Sequence, residues 1–144
     1  MKNYSISNYI GKAIIIYILI FSLTACAKKI SFQGSSVVPA ARGSVKIKKD
    51  KNKNYSIEVS LYNLAEVKRL EPPRQAYVVW METEGQITKN IGQINSAQTM
   101  ISKKLKASLQ TVSSFKPLKI FVTAEEDATV QYPGSQVIIS TDSF

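Results

Sequence analysis

The chain has 144 residues, 19 of them Lys or Arg against 10 Asp or Glu, giving a net charge of +9, with one cysteine and no histidine. That length fits one domain able to hold itself together by packing, and a lone cysteine excludes an intramolecular disulfide. The lack of histidine removes the commonest general base and metal ligand at neutral pH. No catalytic, cofactor-binding or metal-binding residue is predicted, and the expected protein is not an enzyme.

In chain order, Lys2 and Lys12 are the only charged residues before Cys26, and Ala13 to Phe21 is apolar without a break. Ser22 interrupts, and Leu23-Thr24-Ala25-Cys26 closes the run. A membrane-crossing helix needs about 20 apolar residues, so this stretch is short for one. A basic start, a short apolar middle and a small-residue end make up a secretory signal peptide, predicted as a helix over residues 1–25. Leu23, Thr24, Ala25 and Cys26 resemble the lipobox of bacterial lipoproteins at all four positions. The resemblance implies that the Cys26 thiol receives a diacylglyceryl group and that signal peptidase II cuts between Ala25 and Cys26. The new amino terminus is then acylated, and the membrane becomes a partner through lipid on Cys26. Small residues suit that reading, because the bond before Cys26 must enter a protease at the membrane surface. The alternatives are a cleaved signal peptide with a free thiol, or a short uncleaved anchor. Ala27 follows where an aspartate would retain a lipoprotein at the inner membrane, so the outer membrane is favoured.

Residues 26–42 read as a lipidated tether carrying a short first strand at Ile30-Ser31-Phe32, and residues 43–144 as the folded domain. Pro39 lacks a donor and disfavours helix in the residue before it. The basic excess is uneven: Lys28, Lys29, Arg42, Lys46, Lys48, Lys49, Lys51 and Lys53 face Asp50 alone, whereas basic and acidic residues balance from Asn54 to Phe144. The simplest reading is a solvated face and a charged turn. Attraction to anionic headgroups, worth about 1 kcal/mol per basic residue near a surface, is the functional one. The sequence does not fix whether Lys28 to Lys53 forms one patch. Nucleic acid would need the same charges, but an exported protein has little access to it.

Val45-Lys46-Ile47-Lys48 and Tyr55 to Leu61 alternate apolar with polar around the turn formers Asp50, Asn52 and Asn54, which predicts a β-hairpin. Val45, Ile47, Tyr55, Ile57, Val59 and Leu61 are its core face. Ala65 to Arg74 is a loop or brief helical turn ended by Pro72-Pro73. Ala76-Tyr77-Val78-Val79-Trp80-Met81 lacks alternation and is rich in β-branched and aromatic residues, as in a central strand buried on both faces. Glu82 to Gln86 turns into a strand over Ile87 to Ile94, with Gly92 at a bulge or a close approach. Further strands are predicted at Leu105 to Gln110, Leu118 to Ala124 and Gln136 to Ser140. About seven short strands without an amphipathic helix predict an all-β, antiparallel β-sandwich.

Tyr77-Val78-Val79-Trp80, Gly85, Ile91-Gly92, Ile120 to Glu125 and Pro133-Gly134 resemble, in order and spacing, the extracytoplasmic domain of anti-sigma-K-type factors. The match spans roughly residues 76 to 140 and implies an immunoglobulin-like sandwich that senses or binds rather than reacts. Those factors carry a cytoplasmic sigma-binding segment and a true spanning helix. Here a short polar start and a lipobox stand in their place, so sigma-factor inhibition is not carried over.

Candidate chemistry is sparse. Ser113 and Lys116 fit a Ser-x-x-Lys spacing without the other elements of that class. Glu82 and Glu84 share one side of an extended chain and could pair as carboxylates, but a solvated turn fits equally. Glu125-Glu126-Asp127 offers oxygen ligands to a hard cation, without the spaced acids of a calcium loop. Trp80 reads as a core tryptophan of the sandwich before it reads as a stacking platform for ligand. The expected function is a lipid-anchored envelope protein presenting a non-catalytic sandwich to an unidentified envelope partner, with no small-molecule substrate. The alternative is a hydrolase or accessory domain acting on envelope carbohydrate through its acids.

Overall fold

Alternation decides the first sheet. In β2 (Arg42–Lys49) and β3 (Tyr55–Tyr62) the residues Val45, Ile47, Ile57, Val59 and Leu61 are buried and Tyr55 is half-buried, while the lysines between them reach water. The computed structural model describes residues 27–94 and 106–144. The expected signal-peptide helix over residues 1–25, the lipobox with Ala25 and Cys26, and Leu105 lie outside the described residues. β3 also pairs with β6 (Lys106–Ser113), setting Ala107 opposite Leu61 and Leu109 opposite Val59. β1 (Lys28–Ser31) adds to the free edge of β2, giving the order β1-β2-β3-β6.

The second sheet grows around β4 (Ala76–Thr83), which pairs with β5 (Thr88–Ile94) and β7 (Pro117–Glu125). β7 in turn pairs with β8 (Val137–Ser140), for the order β5-β4-β7-β8. Every ladder is antiparallel. The chain crosses between sheets from β3 to β4, from β5 to β6 and from β6 to β7, so that β3 and β6 are neighbours in the first sheet and β4 and β7 are the central neighbours of the second. That is the connectivity of an immunoglobulin-like β-sandwich, here with eight strands among the described residues. A single 3-10 turn, Val67–Arg69, is the brief helical turn expected before the prolines.

Gly92 sits at the expected bulge: Val79 pairs with Gly92 but Trp80 with Asn90, leaving Ile91 as the extra residue. Its φ of 138° suits glycine, and a Cβ there would lie 3.1 Å from the Leu109 side chain of the facing sheet.

The first strand differs from expectation. It runs Lys28–Ser31 rather than from Ile30 to Phe32, and the segment after it is folded too. Phe32, Val38 and Ala41 are buried, and the Phe32 amide donates to Gly43. The Gln33 amide donates across the open side of the sandwich to Ser140 of β8, at 2.8 Å. The tether expected over residues 26–42 is thus replaced from Lys28 on by chain that belongs to the sandwich. Three apolar side chains find burial there, and Pro39 breaks only the turn it occupies. Among the described residues every buried side chain falls between Phe32 and Thr141.

Tyr77 ties the β3–β4 linker to that core. It is buried, and its hydroxyl donates to the Ala65 carbonyl at 2.9 Å. Burial disfavours the phenolate and pushes its pKa up to about 12. In the unfolded chain a tyrosine loses its proton near pH ~10. Between those values the unfolded state binds fewer protons than the folded one. This contribution to stability is therefore intact below pH ~10 and falls by about 1.4 kcal/mol per pH unit up to the folded pKa. Tyr77→Phe is expected to remove that part of the alkaline slope. At pH 7 it should cost about 1 kcal/mol, because the Ala65 carbonyl loses its donor. Urea unfolding of both proteins from pH 7 to 11.5 checks this, and parallel curves across the whole range would sink it.

Candidate functional site

The candidate acids do not converge. Glu82 pairs with the half-buried Lys119 at 3.6 Å and Glu84 with the exposed Lys116, each through its own lysine. Glu126 pairs with Arg74, and Asp127 accepts from the Thr129 amide at 2.7 Å and from its hydroxyl at 2.8 Å. Those two bonds hold the Asp127 carboxyl below its ordinary pKa. Asp127 is thereby spent on its own turn. Ser113 makes a local turn of its own, accepting from the Phe115 amide at 3.0 Å. Lys116 has its pKa raised by the Glu84 hydrogen bond first and the Glu84 charge second, opposite to the lowering that activates a catalytic lysine. Among the described residues no group of three His, Cys, Asp or Glu is placed to hold a metal ion.

Glu125 departs furthest from expectation, because the structure turns it inward instead of leaving it in an acidic surface turn. It is 8% exposed, and its Oε1 accepts from the Gly134 amide at 2.7 Å and from the Thr123 hydroxyl. The Thr123 oxygen in turn accepts from Trp80 Nε1 at 2.7 Å. Trp80, Thr123, Glu125 and Gly134 form one relay of donors and acceptors, which is what lets a carboxylate lie buried. A Cβ on Gly134 would fall 2.7 Å from Glu125 Oε2, so glycine there permits the approach.

The same relay shows the face on which Trp80 lies. It is fully buried, but not between the sheets. Along β4, Tyr77, Val79 and Met81 face the inter-sheet core, while Ala76, Val78 and Trp80 face the other way with Phe121. Residues 126–136 fold back over that outer face, laying Ala128 and Val130 on the cluster. Asn90 Nδ2 fastens them by donating to the carbonyls of Ala128 at 2.9 Å and Val130 at 3.1 Å. The arrangement is a small second core with its polar groups satisfied, and it leaves Trp80 no open face for stacking a ligand.

The basic residues sort by end. Antiparallel pairing throughout places the beginning of β1, the turns at 50–54, 84–87 and 114–116, and Phe144 at one end of the sandwich. The connections 33–41 and 63–75 lie at the other. Lys28 to Lys53 is therefore not a single patch. Arg42 is at the far end, bonded to the Pro39 and Ala41 carbonyls, and Lys46 is on the flat outer face, paired with Glu58 at 3.5 Å. Lys49, Lys51 and Lys53 do share the first end, where Lys89 and Lys116 from the other half of the sequence join them. A shallow groove there is lined by Lys49, Lys53, Glu84, Ile87, Phe115 and Lys116. Lys89 Nζ stands 4.1 Å from the centroid of the Phe115 ring. The sequence places Lys89 and Lys116 in balanced surroundings. The signal that finds them is strand order, since in an antiparallel fold alternate turns share an end.

In comparisons with protein-family models, with curated proteins and with solved structures, nothing matches this chain.

Proposed function

We propose that this is a lipid-anchored protein of the bacterial cell envelope, attached through diacylglyceryl-Cys26 and presenting its sandwich for binding, sensing or structural contact without catalysis. The observation that carries the reading is the leader that ends in Leu23-Thr24-Ala25-Cys26 immediately before folded chain at Lys28. The resemblance to the outer domain of anti-sigma-K-type factors agrees with a binding role, now resting on the same spaced residues and a fold of the implied kind. The hydrolase alternative draws no support from the acids, since Glu82, Glu84, Glu126 and Asp127 each have a separate partner and Glu125 is buried in a structural relay.

The direct test is the mass of the N-terminal peptide from protein purified out of membranes. A peptide beginning at Cys26 and heavier by a diacylglyceryl group is the expected result. One beginning at Cys26 with a free thiol, or at Met1, would refute the anchor. On a density gradient the protein should travel with the outer membrane, following Ala27, and co-sedimentation with the inner membrane would refute that part alone.

A further inference from the structure

We infer that the end of the sandwich carrying Lys28, Lys49, Lys51, Lys53, Lys89 and Lys116 is a membrane-contact face, built to lie on anionic lipid headgroups with Ile87 and Phe115 entering the interface. The inference rests on the anchor reading for its geometry, but its ingredients are separate. The chain outside the described residues leaves at Ala27, beside Lys28 and at this same end. From Cys26 to Lys28 the backbone spans at most about 7 Å. An anchor at Cys26 therefore holds this end, rather than the opposite one, against the bilayer, within about one Debye length at physiological salt.

The composition of the face fits that position. Asp50 and Glu84 are the acids of its turns. Asp50 is turned back onto its own loop, accepting from the Asn54 amide at 2.8 Å, and Glu84 is paired with Lys116. Lys51 and Lys53 are exposed at the hairpin tip, and Lys53 occupies a positive-φ turn position. Ile87 is 54% exposed and Phe115 46% exposed, the latter ringed by Lys89 and Lys116. Exposed large apolar side chains among lysines are the composition of interfacial membrane binders, in which charge draws the surface in and apolar groups enter the headgroup boundary. The far end differs in charge: its Arg42 and Arg74 are engaged with carbonyls, Gln136 and Glu126, Arg69 is paired with Glu66 at 3.1 Å, and Lys68 shares its connection with Glu71. Held this way, the β2–β3 hairpin stands toward the bilayer and the connections 33–41 and 63–75 stand a strand length away, about 26 Å for eight residues.

The test uses the full, membrane-attached protein with an environment-sensitive fluorophore on Ile87→Cys, and on Val37→Cys at the opposite end as control. Vesicles contain either 30 mol% phosphatidylglycerol or phosphatidylcholine alone. The expected result is a blue-shifted Ile87 label, quenched by brominated lipid in the anionic vesicles only, beside an unchanged Val37 label. Because each lysine near an anionic surface is worth about fivefold, replacing Lys49, Lys51 and Lys53 with glutamine should lower the ratio of interfacial to aqueous label by on the order of 100-fold. High salt should act in the same direction. Equal behaviour of the two labels overturns the face, and so does a shift that persists in phosphatidylcholine or in the triple variant. The wild-type protein serves as the blank. If it takes up the thiol reagent at Cys26, the anchor reading fails, and the two labels compared in a Cys26→Ser background still decide the face.

Discussion

Cys26→Ser is expected to stop maturation altogether: the precursor is neither lipidated nor cut after Ala25, and only its leader attaches it. Burying acyl chain contributes about 0.8 kcal/mol per methylene, and while one myristoyl-length chain binds only marginally, two give stable attachment. A diacylglyceryl-cysteine supplies two. Immunoblotting should show one band heavier than the mature protein by the leader. A chain beginning at Ala27, with neither leader nor lipid, should appear in the soluble fraction, monomeric and folded, because it keeps every side chain that is buried among the described residues, from Phe32 to Thr141. Normal-sized Cys26→Ser protein in the membrane pellet would end the lipoprotein reading. An aggregated Ala27 chain would mean that the leader or a partner takes part in folding.

Trp80→Ala is the most damaging single change expected within the sandwich, at about 3–5 kcal/mol for a fully buried tryptophan. The loss has two parts. The indole fills the space between β4, Phe121 and the covering loop, with ring centroids 6.3 Å apart and planes 16° apart. Its N–H also supplies the first donor of the relay through Thr123 to Glu125. Trp80→Phe keeps an aromatic filler and removes that donor, so it should cost clearly less. Urea unfolding followed by far-UV circular dichroism measures both. A Trp80→Ala cost below 1 kcal/mol would mean that residues 126–136 are not seated on β4.

Much of this was readable in advance wherever a period exists. The hairpin of β2 and β3 follows from strict alternation, and its buried residues are the ones alternation names. β4 follows from an apolar run too short for a helix and too apolar for an edge. That same lack of alternation hid which face of β4 meets the other sheet, since an unbroken run carries no phase. Trp80 is buried as its strand implies, and only the fold shows on which face. Glu125 was hidden by its neighbours: Glu126 and Asp127 are solvated, and only the approach of Gly134, nine residues on, makes an inward carboxylate affordable. β1 was misplaced because Lys28 and Lys29 read as soluble tether, whereas at a sheet edge lysines guard the free backbone. The lysine-bearing end depends on which turns share an end, which local patterns do not encode.

The bond from the Gln33 amide to Ser140 joins residues 107 apart in the chain. A chain synthesised from its amino end delivers Gln33 more than a hundred residues before Ser140. The open side of the sandwich therefore cannot close until β8 is available, however far the hairpin of β2 and β3 has progressed. Until then, the edge of β7 that β8 will cover is an unpaired strand. Pairings so distant in sequence make for slow folding. Connectivity thus makes the docking of β8 the closing step of the sandwich.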